Sequence, residues 1–120
     1  MKSKWIEYNE KKIFYQDFSN NFFNEKAVID ELQEVQSIVL SQPDSSVLVL
    51  SNFSNTEITA NLMPVMNESS SKTKSHVRKT AVLGITGVKR TLGDLLSRIT
   101  GQPLMYFNTE LEAKEWLVKD

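Results

Sequence analysis

The chain of 120 residues contains no cysteine and a single histidine, His76. Without thiols it forms no disulfide, no thiolate zinc site and no cysteine nucleophile. One histidine leaves a histidine-based catalytic triad and a two-histidine metal site unavailable, and no carboxylate pair is distinguished as an acid and a base. The sequence therefore predicts a protein that is not an enzyme and has no cofactor.

Long apolar segments are also missing. No run approaches the roughly 18 apolar residues that a membrane span needs, and residues 1–12 are charged where a signal peptide would be apolar. The chain is 40% hydrophobic and 24% charged, which is typical of a globular protein rather than a disordered one. The length fits one domain, residues 1–120, with one core. We expect a cytoplasmic protein without stable membrane insertion.

Charge is unevenly distributed, although the net charge is only −1. Residues 1–68 carry ten acidic and five basic side chains, whereas residues 69–93 carry six basic side chains and no acidic one. The six are Lys72, Lys74, Arg78, Lys79, Lys89 and Arg90. Clustered Lys and Arg are common on solvated surfaces, and a pI near 5.9 is not that of a nucleic-acid-binding protein. We expect no nucleic-acid partner.

The first half of the chain predicts a hairpin, a helix and a strand. Aromatic and β-branched residues favour strands at 5–8 and 13–18, joined by a polar turn. Asn24 is placed to cap a helix, whose apolar stripe is Val28, Leu32, Val35 and Val39. Residues 47–50 are continuously apolar, which is typical of a central strand covered on both faces.

The second half continues the alternation of helices and strands. Ser54 and Glu57 have the spacing of a capping box, which predicts a second helix that Pro64 kinks or restarts. Residues 78–85 predict the next strand, and a third helix follows with the stripe Val88, Leu92, Leu95, Leu96 and Ile99. After a short strand at 103–107, a closing helix capped by Thr109 offers the core Leu111, Trp116 and Leu117.

The element order is therefore β-β-α-β-α-β-α-β-α. It predicts an open, mainly parallel five-stranded sheet with an antiparallel N-terminal edge hairpin. If the strands add in sequence, the helices lie mostly on one face, and the other face stays partly open as a contact surface.

Residues 81–91, AVLGITGVKRT, suggest a phosphate-binding loop at first sight. Gly84 and Gly87 are three positions apart rather than five, and Val88 separates the second glycine from Lys89, so the segment is not a P-loop. Two alternatives remain open. Gly84 permits close packing at a strand exit and Thr86 caps a helix, or the positive end of that helix also contacts an anion or an acidic partner through a set of residues. The set is Arg78, Thr86, Gly87, Lys89 and Arg90.

Two stretches, QPDSSVLVLSNFSNTE at 42–57 and VRKTAVLGITGVKRTLGDLLSRITGQPLMYFNTELEAKEWL at 77–117, resemble the STAS domain (sulfate transporter and anti-sigma-factor antagonist). The resemblance is to its stand-alone bacterial SpoIIAA-like branch, and with the aromatic hairpin it covers nearly the whole chain.

The resemblance implies a non-enzymatic regulatory module that binds a protein partner or a second copy of itself. An alternative is a carrier of a small ligand, lipid or anion. Signalling members are switched by phosphorylation in an Asp-Ser-Ser-Gly-like turn after the third strand. The corresponding residues here, LSNFSNTE, have neither Asp nor Gly, which leaves Ser54 and Thr56 as candidate acceptors. A helix-capping hydroxyl is the simpler interpretation of both.

Overall fold

The computed structural model describes residues 1–85 and 104–119. Its strands are β1 (Lys4–Tyr8), β2 (Lys11–Asp17), β3 (Val47–Asn52), β4 (Val77–Leu83) and β5 (Leu104–Phe107). The helices it describes are α1 (Glu25–Leu40), α2 (Leu62–Thr73) and α3 (Glu110–Val118). The helix predicted from the stripe of Val88 to Ile99 lies outside the described residues.

The five strands form one sheet in the order β1-β2-β3-β4-β5. β1 and β2 are antiparallel, and each later neighbouring pair is parallel. The predicted mixed sheet, with the hairpin at its edge and strands added in sequence, is confirmed. Because β2 to β5 are parallel, their carboxyl ends share one edge of the sheet.

The hairpin turns at Asn9 and Glu10, whose φ angles are 49° and 66°. Positive φ at both central residues is a feature of the type I′ turn, which matches the twist of antiparallel strands. Beyond the turn, Trp5 lies opposite Phe14 in the ladder, with ring centroids 4.8 Å apart. The aromatic pair stabilises the register that the turn sets.

α1 begins where the sequence predicts. The Asn24 side chain accepts a hydrogen bond from the Ala27 amide at 3.1 Å, and the buried Val28, Val35 and Val39 lie on the predicted stripe. None of α1, α2 and α3 combines the length and the apolar character that crossing a membrane requires.

α1 also buries a carboxylate, Glu31, which holds the start of the chain. Its oxygens accept hydrogen bonds from the Lys2 amide (3.1 Å), the Ser3 amide (2.9 Å) and the Ser3 hydroxyl (2.6 Å). Burial by itself raises the pKa of Glu31, but these hydrogen bonds outweigh it, and the pKa is lowered from its ordinary value. We call residues 2–3 with Glu31 the amino-terminal clasp.

α2 begins at Leu62, so the helix start predicted at Ser54 is wrong. The Glu57 amide, which a capping Ser54 hydroxyl would bind, donates instead to the carbonyl oxygen of Phe22 at 2.7 Å. Pro64 explains the later start. Proline lacks an amide hydrogen and is tolerated in the first turn of a helix but not in its interior, and a start at Leu62 puts Pro64 in the first turn.

Helices cover both faces of the sheet. α1 and α2 lie on the face that carries Phe14, Val49 and Val82, which we call the α1 face. α3 lies on the opposite face, the α3 face, where Ala113 and Leu117 pack against Ile13, Leu48, Leu50, Ala81 and Leu83.

α3 lies on the second face, which the sequence predicts to stay partly open, so the described helices lie mostly but not all on one face. Unlike α1 and α2, α3 does not connect two of the described strands, so the right-handed crossover rule does not decide its side. Lys79 on β4 helps to hold it, because its Nζ donates to the Trp116 carbonyl at 3.0 Å and lies 5.0 Å from the centre of the Trp116 ring. Leu111, predicted for the core, is 60% exposed, whereas Leu117 is buried.

Candidate functional site

Two loops meet at the carboxyl ends of the central strands. The β2–α1 loop comprises residues 18–24, and the β3–α2 loop comprises residues 53–61. Ligands of open α/β sheets bind at this edge of the sheet. The residues predicted as phosphorylation acceptors, Ser54 and Thr56, both lie in the second loop.

Backbone hydrogen bonds join the two loops and continue the parallel pairing of β2 with β3. The amide of Asn20 donates to the Ser54 carbonyl (2.8 Å), that of Phe22 to the Asn55 carbonyl (2.8 Å), and that of Glu57 to the Phe22 carbonyl (2.7 Å). An Asn55 Nδ2 to Asn20 Oδ1 bond at 3.0 Å adds a side-chain contact. The two loops are therefore held to each other along much of their length.

Thr56, in the β3–α2 loop, is buried against the β2–α1 loop. Its hydroxyl accepts the Asn21 amide at 3.1 Å and donates to the Phe18 carbonyl. The Thr56 hydroxyl therefore both accepts and donates a hydrogen bond within the protein. Phosphorylation of Thr56 or Ser54 stays a prediction.

Ser54 packs against the strand exit at Gly84. Gly84 has a φ angle of 83°, and a Cβ added there would lie 2.4 Å from the Ser54 amide nitrogen and 2.7 Å from the Phe53 carbonyl carbon. The predicted role of Gly84, close packing at the end of a strand, is confirmed. The close approach brings the end of β4 onto the β3–α2 loop.

Phe22 and Phe23 project from the β2–α1 loop with 61% and 75% of their surface exposed. Phe22 also has a φ angle of 51°, which is rare for a bulky side chain. Sequence reasoning missed both residues, since adjacent aromatics in a polar turn belong to no helical or strand pattern. The available signal was the segment NNFFN, residues 20–24, in which asparagines flank both phenylalanines.

The predicted anion contact is only partly within the described structure. Arg78 is exposed and is the extra residue of a β-bulge, because Val47 pairs with Val77 and Leu48 with Lys79. It lies at the amino end of β4, remote from Gly84 at the other end. The remaining members, Thr86, Gly87, Lys89 and Arg90, lie outside the described residues, so the anion contact stays a prediction.

A cavity of about 110 Å³ lies on the α1 face, between the sheet and the two helices. Among the described residues its walls are mainly apolar and include Leu32, Val82 and Met66. Gln16 and Ser51 supply polar groups, with the Ser51 hydroxyl donating to Gln16 Oε1 at 3.1 Å.

Tyr15 is an ionisable residue near the carboxyl end of β2. The Tyr15 hydroxyl accepts a hydrogen bond from Asn52 Nδ2 at 2.8 Å. Burial is the main cause that raises the pKa of Tyr15, and the nearby charges of Asp17 and Glu110 raise it further, so the phenol is neutral near pH 7. The described residues contain no group of His, Asp and Glu side chains that could hold a metal ion.

A solved structure shares this fold. It is an uncharacterised protein of the DUF3478 family with a SpoIIAA-like fold from Shewanella loihica, with a TM-score of 0.71 at 8% sequence identity. The alignment covers 96% of this chain and 91% of that one. No protein-family model and no curated protein match the chain. The SpoIIAA-like fold implied by the STAS resemblance is confirmed.

Proposed function

We propose that the protein is a non-enzymatic regulatory module of the STAS type, which docks a partner protein in the cytoplasm. The docking site is the carboxyl-end surface, defined as residues 20–24 and 54–57. The proposal rests on the exposed pair Phe22 and Phe23. Both lie on the β2–α1 loop, which is hydrogen-bonded to the β3–α2 loop. Aromatic side chains with a polar surround are typical of the centre of a protein interface.

The hydrogen bonds between the two loops support this function, because ordering a loop on binding reduces affinity. Each immobilised side chain or loop costs part of the interaction free energy. Here the amides of Asn20 and Phe22 are already paired with the β3–α2 loop before any partner binds. The surface is thus prepared for docking.

Regulation by phosphorylation belongs to the same proposal and favours Ser54 over Thr56. Ser54 is only partly buried, whereas Thr56 is buried with its hydroxyl hydrogen-bonded in both directions. A phosphate at Ser54 would add nearly two negative charges within the docking surface.

The absence of native cysteine allows a direct test by labelling. Cysteine is introduced either at Lys26, an exposed residue in the first turn of α1, or at Ser37, an exposed residue near the other end of that helix. The purified Lys26→Cys chain, labelled with a benzophenone maleimide and then added to a lysate of cells that natively produce the chain, is expected to cross-link one partner protein. The same label on Ser37→Cys is expected to give at least about tenfold less of that product. Equal cross-linking at both positions, or none at Lys26→Cys, would contradict the proposal.

A second candidate function is the binding of a small apolar ligand, which the cavity on the α1 face favours. Its volume of about 110 Å³ is near that of an engineered cavity that binds benzene, and is below the roughly 300 Å³ of most ligand pockets. A compact ligand therefore fits the cavity better than a diacyl lipid. Native mass spectrometry after gentle purification is expected to show added mass. A chain without added mass, and without a thermal shift in the presence of benzene-sized ligands, would reject this function.

A further inference from the structure

Phe22 and Phe23 are the most exposed aromatic side chains among the described residues. We propose that the two rings insert together into an apolar pocket of a different protein, which is rimmed by uncharged hydrogen-bonding groups. This inference rests on the proposed docking function. It adds which side chains anchor the partner and what chemistry the partner's pocket has.

The backbone at Phe22 supports a role for this side chain outside the chain's own core. A bulky residue at a φ angle of 51° is strained relative to glycine or asparagine at the same position. The loop maintains this conformation through the bonds of the Phe22 amide and carbonyl to Asn55 and Glu57. Strain that persists at an exposed position points to function, since the ring contributes little to internal packing.

The surround of the two rings favours a neutral pocket in the partner. Asn21 and Asn24 flank the two phenylalanines in sequence, and the Phe22 amide donates to the Asn55 carbonyl. Residues 18–24 and 53–61 contain no lysine or arginine, and Glu57 is their only acidic residue. Of the basic side chains that adjoin these loops, Lys2 donates to the Ser19 carbonyl and Lys26 pairs with Asp30. An anionic membrane or a phosphorylated peptide would require basic residues in these loops. Amides match the polar rim of a protein pocket that receives aromatic anchors.

The exposed area argues against a second copy of the chain as the occupant. Phenylalanine buries about 150–250 Å² when fully enclosed, so the exposed fractions leave roughly 200–350 Å² on the two rings together. A stable interface needs about 800 Å² from each partner. Two projecting pairs facing each other cannot enclose that area, whereas a concave pocket also covers the surrounding amides.

The test compares anchor variants with a matched control. Phe22→Asn removes the ring but keeps a residue that tolerates positive φ, and Phe23→Ser removes the other ring. Leu40→Ser is the control, because Leu40 is 40% exposed at the far end of α1. The binding probe is the partner protein identified from the Lys26→Cys cross-link, which is then produced and purified separately and titrated calorimetrically.

The Phe22→Asn/Phe23→Ser double variant is expected to bind this protein at least about 100-fold more weakly, and the Leu40→Ser variant within about twofold of the unchanged chain. Wild-type affinity should change less than about threefold between low and high salt, since the contact is apolar. Melting by circular dichroism is expected to stay unchanged or rise in the double variant, which separates lost docking from misfolding.

Several outcomes would overturn the anchor. Unchanged affinity in the double variant would reject it while leaving the docking module in place. Failure to capture any protein at Lys26→Cys would reject both. A wild-type dimer in sedimentation velocity that the double variant loses would identify a second copy instead. If the wild-type chain sediments with phosphatidylglycerol vesicles and the double variant does not, the occupant is a membrane. The dimer result or the membrane result would reject the proposed protein pocket.

Discussion

Individual residues determine how closely the loops of the carboxyl-end surface approach each other. Gly84 allows the end of β4 to reach the backbone of Phe53 and Ser54, and the Thr56 hydroxyl joins the β3–α2 loop to Phe18 and Asn21 of the β2–α1 loop. Both residues contact backbone atoms of a neighbouring segment. Substitutions at these positions should therefore affect the stability of the fold more than docking.

Replacing Gly84 with alanine should destabilise the fold by about 3 kcal/mol, because the new Cβ overlaps the Ser54 backbone and the φ angle of 83° is strained for alanine. Urea unfolding followed by circular dichroism measures the loss. Glu10→Gly is the control, since the turn there has positive φ, and glycine should leave stability unchanged or slightly higher. An alanine variant as stable as the parent would show that the close contact is absent.

Replacing Thr56 with valine keeps the shape of the side chain but leaves the Asn21 amide and the Phe18 carbonyl without this partner. We expect a loss of about 1–3 kcal/mol in the free energy of unfolding. Thr56→Ser, which retains the hydroxyl, should lose less than half of that. The same urea titration compares the two, and equal losses would mean that methyl packing, not hydrogen bonding, is what Thr56 contributes.

At the scale of elements, local signals predicted the hairpin and α1 well, because their determinants are neighbours in sequence. Asn24 both precedes the apolar stripe and caps α1 in the structure. The predicted start of α2 at Ser54 was wrong because two local signals conflicted there. The spacing of Ser54 and Glu57 favoured an early start, but pairing with the β2–α1 loop engages the Glu57 amide and Pro64 is suited to a first turn.

The amino-terminal clasp couples the start of the chain to α1 in a pH-dependent way. The folded-state pKa of Glu31 is lowered, so its stabilising contribution is fully present above the unfolded pKa near 4.5 and is lost as the pH falls through the folded value. Glu31→Gln should therefore reduce the free energy of unfolding at pH 7. Near pH 3 the free energies of unfolding of the variant and the parent should differ by less. Urea titrations at the two pH values measure this, and a constant difference would contradict the linkage.

At the scale of the whole molecule, alternating elements were sufficient to predict the sheet order and its parallel strands. They did not predict that α3 covers the second face, since the side of a helix that joins no two described strands depends on packing by Ala113 and Leu117. Nor did they predict the exposed Phe22 and Phe23, whose position depends on long-range pairing between two loops. Exposed aromatic pairs of this kind follow from tertiary contacts rather than from periodicity.

We propose above all that a partner protein docks on the carboxyl-end surface. Backbone amide chemical shifts, recorded by NMR while the captured partner is titrated in, test it most directly. We predict that the largest changes occur within residues 20–24 and 54–57, and that amides of α3 shift little. Changes centred on α3, or spread evenly over the described residues, would contradict the claim.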